Sequence, residues 1–99
     1  MAIITDGQMH SPSHPGEILK AIYMEPLKIS VTKLADALDV SRKHVSAVIH
    51  GRASVSTDLA VRLGIVFDTS PKLWMNLQTQ HDLWRASLQA KPKVKRLAA

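Results

Sequence analysis

Residues 31–52, VTKLADALDVSRKHVSAVIHGR, read as two helical segments, each with an apolar stripe, with only about two residues between the segments. In the first, Val31, Leu34, Ala35 and Leu38 stand at i, i+3, i+4 and i+7, one face of an α-helix. In the second, Val45, Val48 and Ile49 form the apolar face, Ser41 is placed to cap the helix start, and Gly51 to end it. Asp39 and Val40 alone separate the two. A turn that short sets two helices at a steep angle, as in a helix-turn-helix. The motif needs a small residue where the helices approach, and Ala35 supplies it. It also favours a residue tolerant of positive φ in the turn, and Asp39 stands there.

The rest of the chain reads as helix too. Pro15 suits a first helical position, with Glu17 in the first turn and an Ile18, Leu19, Ile22 stripe that Pro26 should stop. A fourth helix starts after Ser56, with Asp58 in its first turn, and buries Leu59, Leu63, Val66 and Phe67. A fifth starts at the pair Ser70-Pro71 and runs to about residue 89. No segment alternates with period two for long. The expectation is an all-α domain of five helices over residues 15–90, between a flexible N-terminal arm (1–14) and a basic C-terminal tail (91–99).

Composition narrows the function classes. The 99 residues make one domain, and the lack of cysteine removes disulfides and thiol chemistry. No apolar run reaches the roughly 18 residues of a membrane span, and the N-terminus lacks the pattern of a secretory signal, so a cytoplasmic protein is expected. His10 and His14 are four apart, but Pro12 intervenes and no third ligand is evident, so no metal or other cofactor is expected. No nucleophile stands beside an oriented base, and no glycine-rich phosphate loop is present, so the chain does not read as an enzyme.

Charge is informative by its placement. The net charge is +5, yet residues 15–90 are nearly balanced, with nine cations against seven acids. Two one-sign blocks stand out: KPKVKR at 91–96 and the segment 41–52, where Arg42, Lys43 and Arg52 have no acid among them. A helix N-terminus carries unpaired amides and the positive end of the dipole, which favour phosphate. Cations in that first turn reach a DNA major groove, and arginine can grip guanine O6 and N7 together. A solvated basic helix end would offer the same cations. The short turn and the unbroken cation run favour double-stranded DNA as partner.

Three further stretches carry a family resemblance. They are HPGEIL at 14–19 with EPL at 25–27, the helix-turn-helix pattern of Leu34, Ala35, Leu38, Val40, Ser41, Val45, Ser46, Ile49, Gly51 and Arg52, and FDTSPKLWMNLQTQHDLW at 67–84. Over residues 14 to about 85 the chain resembles the HigA/VapI-type antitoxins of the Xre/Cro/λ-repressor-like group. The resemblance implies a compact λ-repressor-like domain acting as a dimeric, DNA-binding antitoxin of a type II toxin–antitoxin pair. Such a protein represses its own operon at an inverted-repeat operator and neutralises a cognate RelE-like toxin that cleaves messenger RNA. Carried onto this chain, DNA contacts fall on Ser41, Arg42, Lys43, Ser46 and Ala47, with His50 and Arg52 on the backbone; Thr32 and His44 complete the candidate set. Asp39 stands where the family usually has glycine, and the basic tail lies outside the match.

The fifth helix bears on assembly. Leu73, Trp74, Leu77, His81, Trp84 and Leu88 fall within one arc about 100° wide, and Met75, Leu83 and Ala86 fall roughly opposite. A surface helix of a small monomer needs one apolar stripe, so two suggest a core face and a partner face. Trp74, Leu77, His81, Trp84 and Leu88 are therefore the candidate homodimer interface, with Trp84 its centre. Two alternatives remain for the whole: a helix-turn-helix regulator without a toxin, and an adaptor whose basic helix serves an acidic protein surface.

Overall fold

The computed structural model describes residues 11–98, which form five helices and no strand. Helix α1 spans residues 15–27, α2 is Val31–Leu38, α3 is Arg42–Ile49, α4 is Thr57–Phe67 and α5 is Pro71–Ser87. The starts of α2 to α5 share one device. The hydroxyls of Ser30, Ser41, Ser56 and Ser70 accept from the amides of Lys33, His44, Leu59 and Lys72 at 3.0–3.1 Å. A serine oxygen there satisfies an amide with no partner inside the helix. Lys28, Asp39 and Asp68 follow the ends of α1, α2 and α4 in the left-handed conformation, and Gly51 follows α3 at φ 74°.

Helix α1 departs from the sequence reading. Pro26 does not stop it, and Ile22 is exposed rather than part of the core stripe. A proline ring inside an α-helix meets the carbonyl four residues back, here that of Ile22. The stretch Leu19–Met24 is wound as a π-helix, and Glu25 N–H bonds the carbonyl of Lys20, five residues back. The wider turn carries the chain past Pro26 to Leu27. It also changes the phase: Leu19 and Met24, five apart, share the buried face, and Ile22 swings out.

The arm also ends sooner than expected. His14 is buried, and its Nδ1 accepts from Gly16 N–H at 2.9 Å, capping α1. Residues 1–10, including His10, lie outside the described residues. Residues 88–98 follow α5 without regular structure and are exposed.

One core gathers Leu19 and Met24 of α1, Leu34, Ala35 and Leu38 of α2, Val45, Val48 and Ile49 of α3, Leu59, Ala60 and Leu63 of α4, and Trp74 of α5. Trp74 is its largest side chain and has no exposed surface. Its indole N–H donates to Thr69 Oγ1 at 2.8 Å, and Tyr23 packs on both Trp74 and Phe67. Burial of such a ring without its N–H satisfied would forfeit part of the apolar gain.

Candidate nucleic-acid interface

Helix α3 divides its residues as the sequence pattern requires. Val45, Val48 and Ile49 are buried, while Arg42 and Lys43 at its capped start are exposed. His44, Ser46 and Ala47 lie between, half-buried along the flank. With His44 N–H held by Ser41, the amides of Arg42 and Lys43 have no partner within the helix and point out of its end. Among the described residues the one ion pair is Arg62–Asp58, so Arg42, Lys43 and Arg52 carry uncompensated charge. Thr32 is exposed in the first turn of α2, behind the Ser30 cap. The exposed His50 is turned back: its Nδ1–H donates to the carbonyl of Ser46 at 2.8 Å, so the ring covers the end of α3.

The position of α3 is set from three sides. Gly16 of α1 lies directly on its last turn, where a Cβ would overlap the carbonyl of Val48. At its start, Asp39 takes φ 56°, and Asp39 and Val40 N–H bond the carbonyls of Asp36 and Ala35 at 3.2 and 3.1 Å. This is the reversal that usually calls for glycine, with aspartate accepting the left-handed geometry. Arg62 of α4 donates from Nη1 to the carbonyls of Leu38 and Asp39, at 2.8 and 3.2 Å, and from Nε to Asp58 at 2.9 Å. After α3, the loop to α4 is held by Gln78 of α5. This side chain is buried and accepts from Val55 N–H at 2.7 Å while donating to Asp82 at 2.9 Å.

His14 joins α1, this loop and α5. Its ring meets His81 edge-on at 5.0 Å, and His81 Nδ1–H donates to the carbonyl of Pro12 at 2.9 Å. Burial, then the neighbouring His81, push the His14 pKa below the usual histidine value, against the opposing pull of Asp82 and Glu17. The neutral ring is the form that can accept from Gly16 N–H.

Along α5 the expected partner stripe divides. Trp74 is removed from it: wholly inside the core, it has no surface with which to meet a second chain. Leu77, His81 and Trp84 are half-buried, and Leu88 is exposed at 66%. On the second stripe Met75 packs against the core, while Leu83 and Ala86 are exposed. Arg62 and Gln78 are not among the sequence candidates, and His14 is weighed there only as a metal ligand. Arg62 has a visible signal, since it follows Asp58 by four residues; Gln78 has none, because its burial and its bond to Val55 are made by tertiary packing.

The helix-turn-helix family model matches residues 20–74. An HTH-type transcriptional regulator of Haemophilus influenzae is 42% identical over 74% of this chain and 68% of its own length. The Pseudomonas aeruginosa antitoxin HigA, solved with the higBA promoter, is 44% identical over 76% of this chain and 82% of its own, with a TM-score of 0.74. The antitoxin GraA in complex with its operator is 39% identical over 98% of this chain and all of its own, with a TM-score of 0.83. With the capped α2–α3 pair and the match across it, the chain belongs to the Xre-type helix-turn-helix family, and its structural neighbours there are HigA-type antitoxins.

Proposed function

We propose that the protein is a sequence-specific DNA-binding antitoxin that represses its own operon and neutralises a RelE-like, messenger-RNA-cleaving toxin. The observation that carries this reading is the start of α3: a serine-capped helix end with two exposed, unpaired cations, on a chain like two antitoxins solved with their promoter or operator. Arg42 and Lys43 would read base edges, while Ser41, Thr32, His44, Ser46, Ala47 and Arg52 would line the groove and its phosphates. His50 acts first on its own helix, so its DNA contact would come from the ring nitrogen left free.

One helix-turn-helix offers few base contacts, and a two-fold dimer doubles them on an inverted repeat with half-sites about 10 base pairs, or a multiple, apart. The stripe of Leu77, His81, Trp84 and Leu88 supports α5 as the joining surface. Exposed Glu17 and Glu25 on α1 suit a basic toxin. The test is co-expression with the neighbouring toxin gene and a gel shift with the DNA upstream of the pair. Restored growth and a shift that survives competitor DNA are expected; persistent arrest despite soluble protein overturns neutralisation. A regulator without a toxin is the second reading, favoured by the H. influenzae relative. It is the one left standing if the gel shift succeeds and no toxin is neutralised.

A further inference from the structure

The turn between α2 and α3 carries a contact that DNA recognition as read above does not use. Arg62 belongs to α4, yet its Nη1 reaches back to the carbonyls of Leu38 and Asp39, at 2.8 and 3.2 Å. Those two oxygens sit at the C-terminus of α2, where helix carbonyls run out of partners and carry the negative end of the dipole. Helix α2 has no basic residue of its own in its last turn. Arg62 therefore supplies from another helix the cation that α2 lacks. Asp58, one turn earlier on α4, receives Arg62 Nε–H at 2.9 Å and orients the guanidinium. The residue so held, Asp39, bears positive φ without being glycine, as Lys28 and Asp68 do after α1 and α4, and it is the one that lies in the turn between α2 and α3.

We infer that Arg62 is a positioning residue for DNA recognition: it clamps the strained Asp39 turn and thereby fixes the angle at which α3 presents Arg42 and Lys43. The chain of contacts runs from Asp58 to Arg62, to the Leu38 and Asp39 carbonyls, and on through Val40 to the Ser41 cap of α3. A left-handed aspartate held from outside gives the same turn that glycine adopts freely. In this turn the clamp and the aspartate are thereby interdependent.

The inference rests on the DNA-binding reading, so the experiment separates the two. The probe is a duplex enriched from a random library by the wild-type protein, measured against unselected DNA over a salt series. A wild type with no preference for the enriched duplex refutes DNA reading itself. Given a wild-type preference, Arg62→Ala with unchanged helical content should lose about tenfold of it, the scale of one charge-assisted hydrogen bond. Affinity for unselected DNA and the salt slope should stay unchanged, because no phosphate contact is lost. Arg62→Lys should behave like Arg62→Ala, since an ammonium cannot span Asp58 and both carbonyls. Asp39→Gly added to Arg62→Ala should restore the preference. A salt slope reduced by about 0.9, with rescue by lysine, would instead make Arg62 a phosphate contact. Failure of Asp39→Gly to rescue would show that the turn is not what Arg62 holds. Should Arg62→Ala unfold, Asp58→Asn carries the test: about threefold loss of preference supports the clamp, and no loss overturns it.

Discussion

The approach of α1 to the recognition helix makes a sharp prediction for Gly16→Ala. Non-bonded heavy atoms settle at roughly 3.5–4 Å. A Cβ on Gly16 would lie 2.7 Å from the carbonyl carbon of Val48 and 2.9 Å from Cα of Ile49, and would overlap the Val48 oxygen. All three are backbone atoms, so no side chain can turn away; α1 and the last turn of α3 must part by about an ångström. Overpacking of this kind costs about 1–3 kcal/mol, and a backbone clash belongs at the upper end. Glycine to alanine within a helix returns about 0.5–1 kcal/mol. The net is about 2 kcal/mol, or a fall in Tm of about 8–16 °C for a domain of this size. Differential scanning calorimetry measures it directly. Since the displaced element is α3, a gel shift on the enriched duplex at a temperature where the variant is folded should also show weaker operator binding. A Tm equal to or above wild type would refute the reasoning, because it would mean the helices are not in contact at that point.

Arg42→Ala should cost about 1–3 kcal/mol of operator affinity and relax preference at one base pair, whereas Arg52→Ala should weaken all sequences alike and lower the salt slope by about 0.9; unchanged base preference in Arg42→Ala sinks the first assignment. Trp84→Ala should shift the protein toward monomer in sedimentation while keeping its helices, with about 2 kcal/mol lost if the ring is the interface centre; outright unfolding would place Trp84 in the monomer core. The His14 pKa lies below its ordinary value in the fold, so the unfolded chain binds the extra proton first, and stability should fall as pH drops below about 6.5. His14→Asn, which can still cap α1, should flatten that dependence, and parallel Tm–pH curves for the two proteins would remove His14 as its source.

The helix-turn-helix was legible because each of its parts has a local signature. Serine caps, i, i+3, i+4 apolar spacing and a two-residue turn all act within a few residues of one another, and α2 to α5 begin where those signals stand. The π turn of α1 has no such signature: a bond reaching back five residues instead of four leaves the composition unchanged, and Pro26 read alone signals a stop. On α5 the helical wheel orders the residues by angle but does not say which angle faces inward. That depends on where α1 and α4 lie, and so Trp74, adjacent to the stripe's edge, proved to be core. The candidate DNA face was legible as charge and capping. The residues that hold it in place, Arg62, Gln78 and His14, act across 24, 23 and 37 or more positions of sequence; the pattern shows only the local Asp58–Arg62 spacing and nothing of the distant contacts.

Gln78 has a consequence for regulation. Through Val55 N–H it ties the loop after the recognition helix to α5, and the His14–His81 contact ties α5 to α1 at the same place. On the proposed reading, a ligand of α5, whether a second copy or a toxin, that prefers one setting of this junction would change operator affinity. By thermodynamic linkage, operator DNA then changes the affinity for that ligand by the same factor, commonly 5- to 150-fold. If the proposed antitoxin reading holds, the promoter and the partner protein would report on one equilibrium, and transcription would respond to the ratio of partner to repressor.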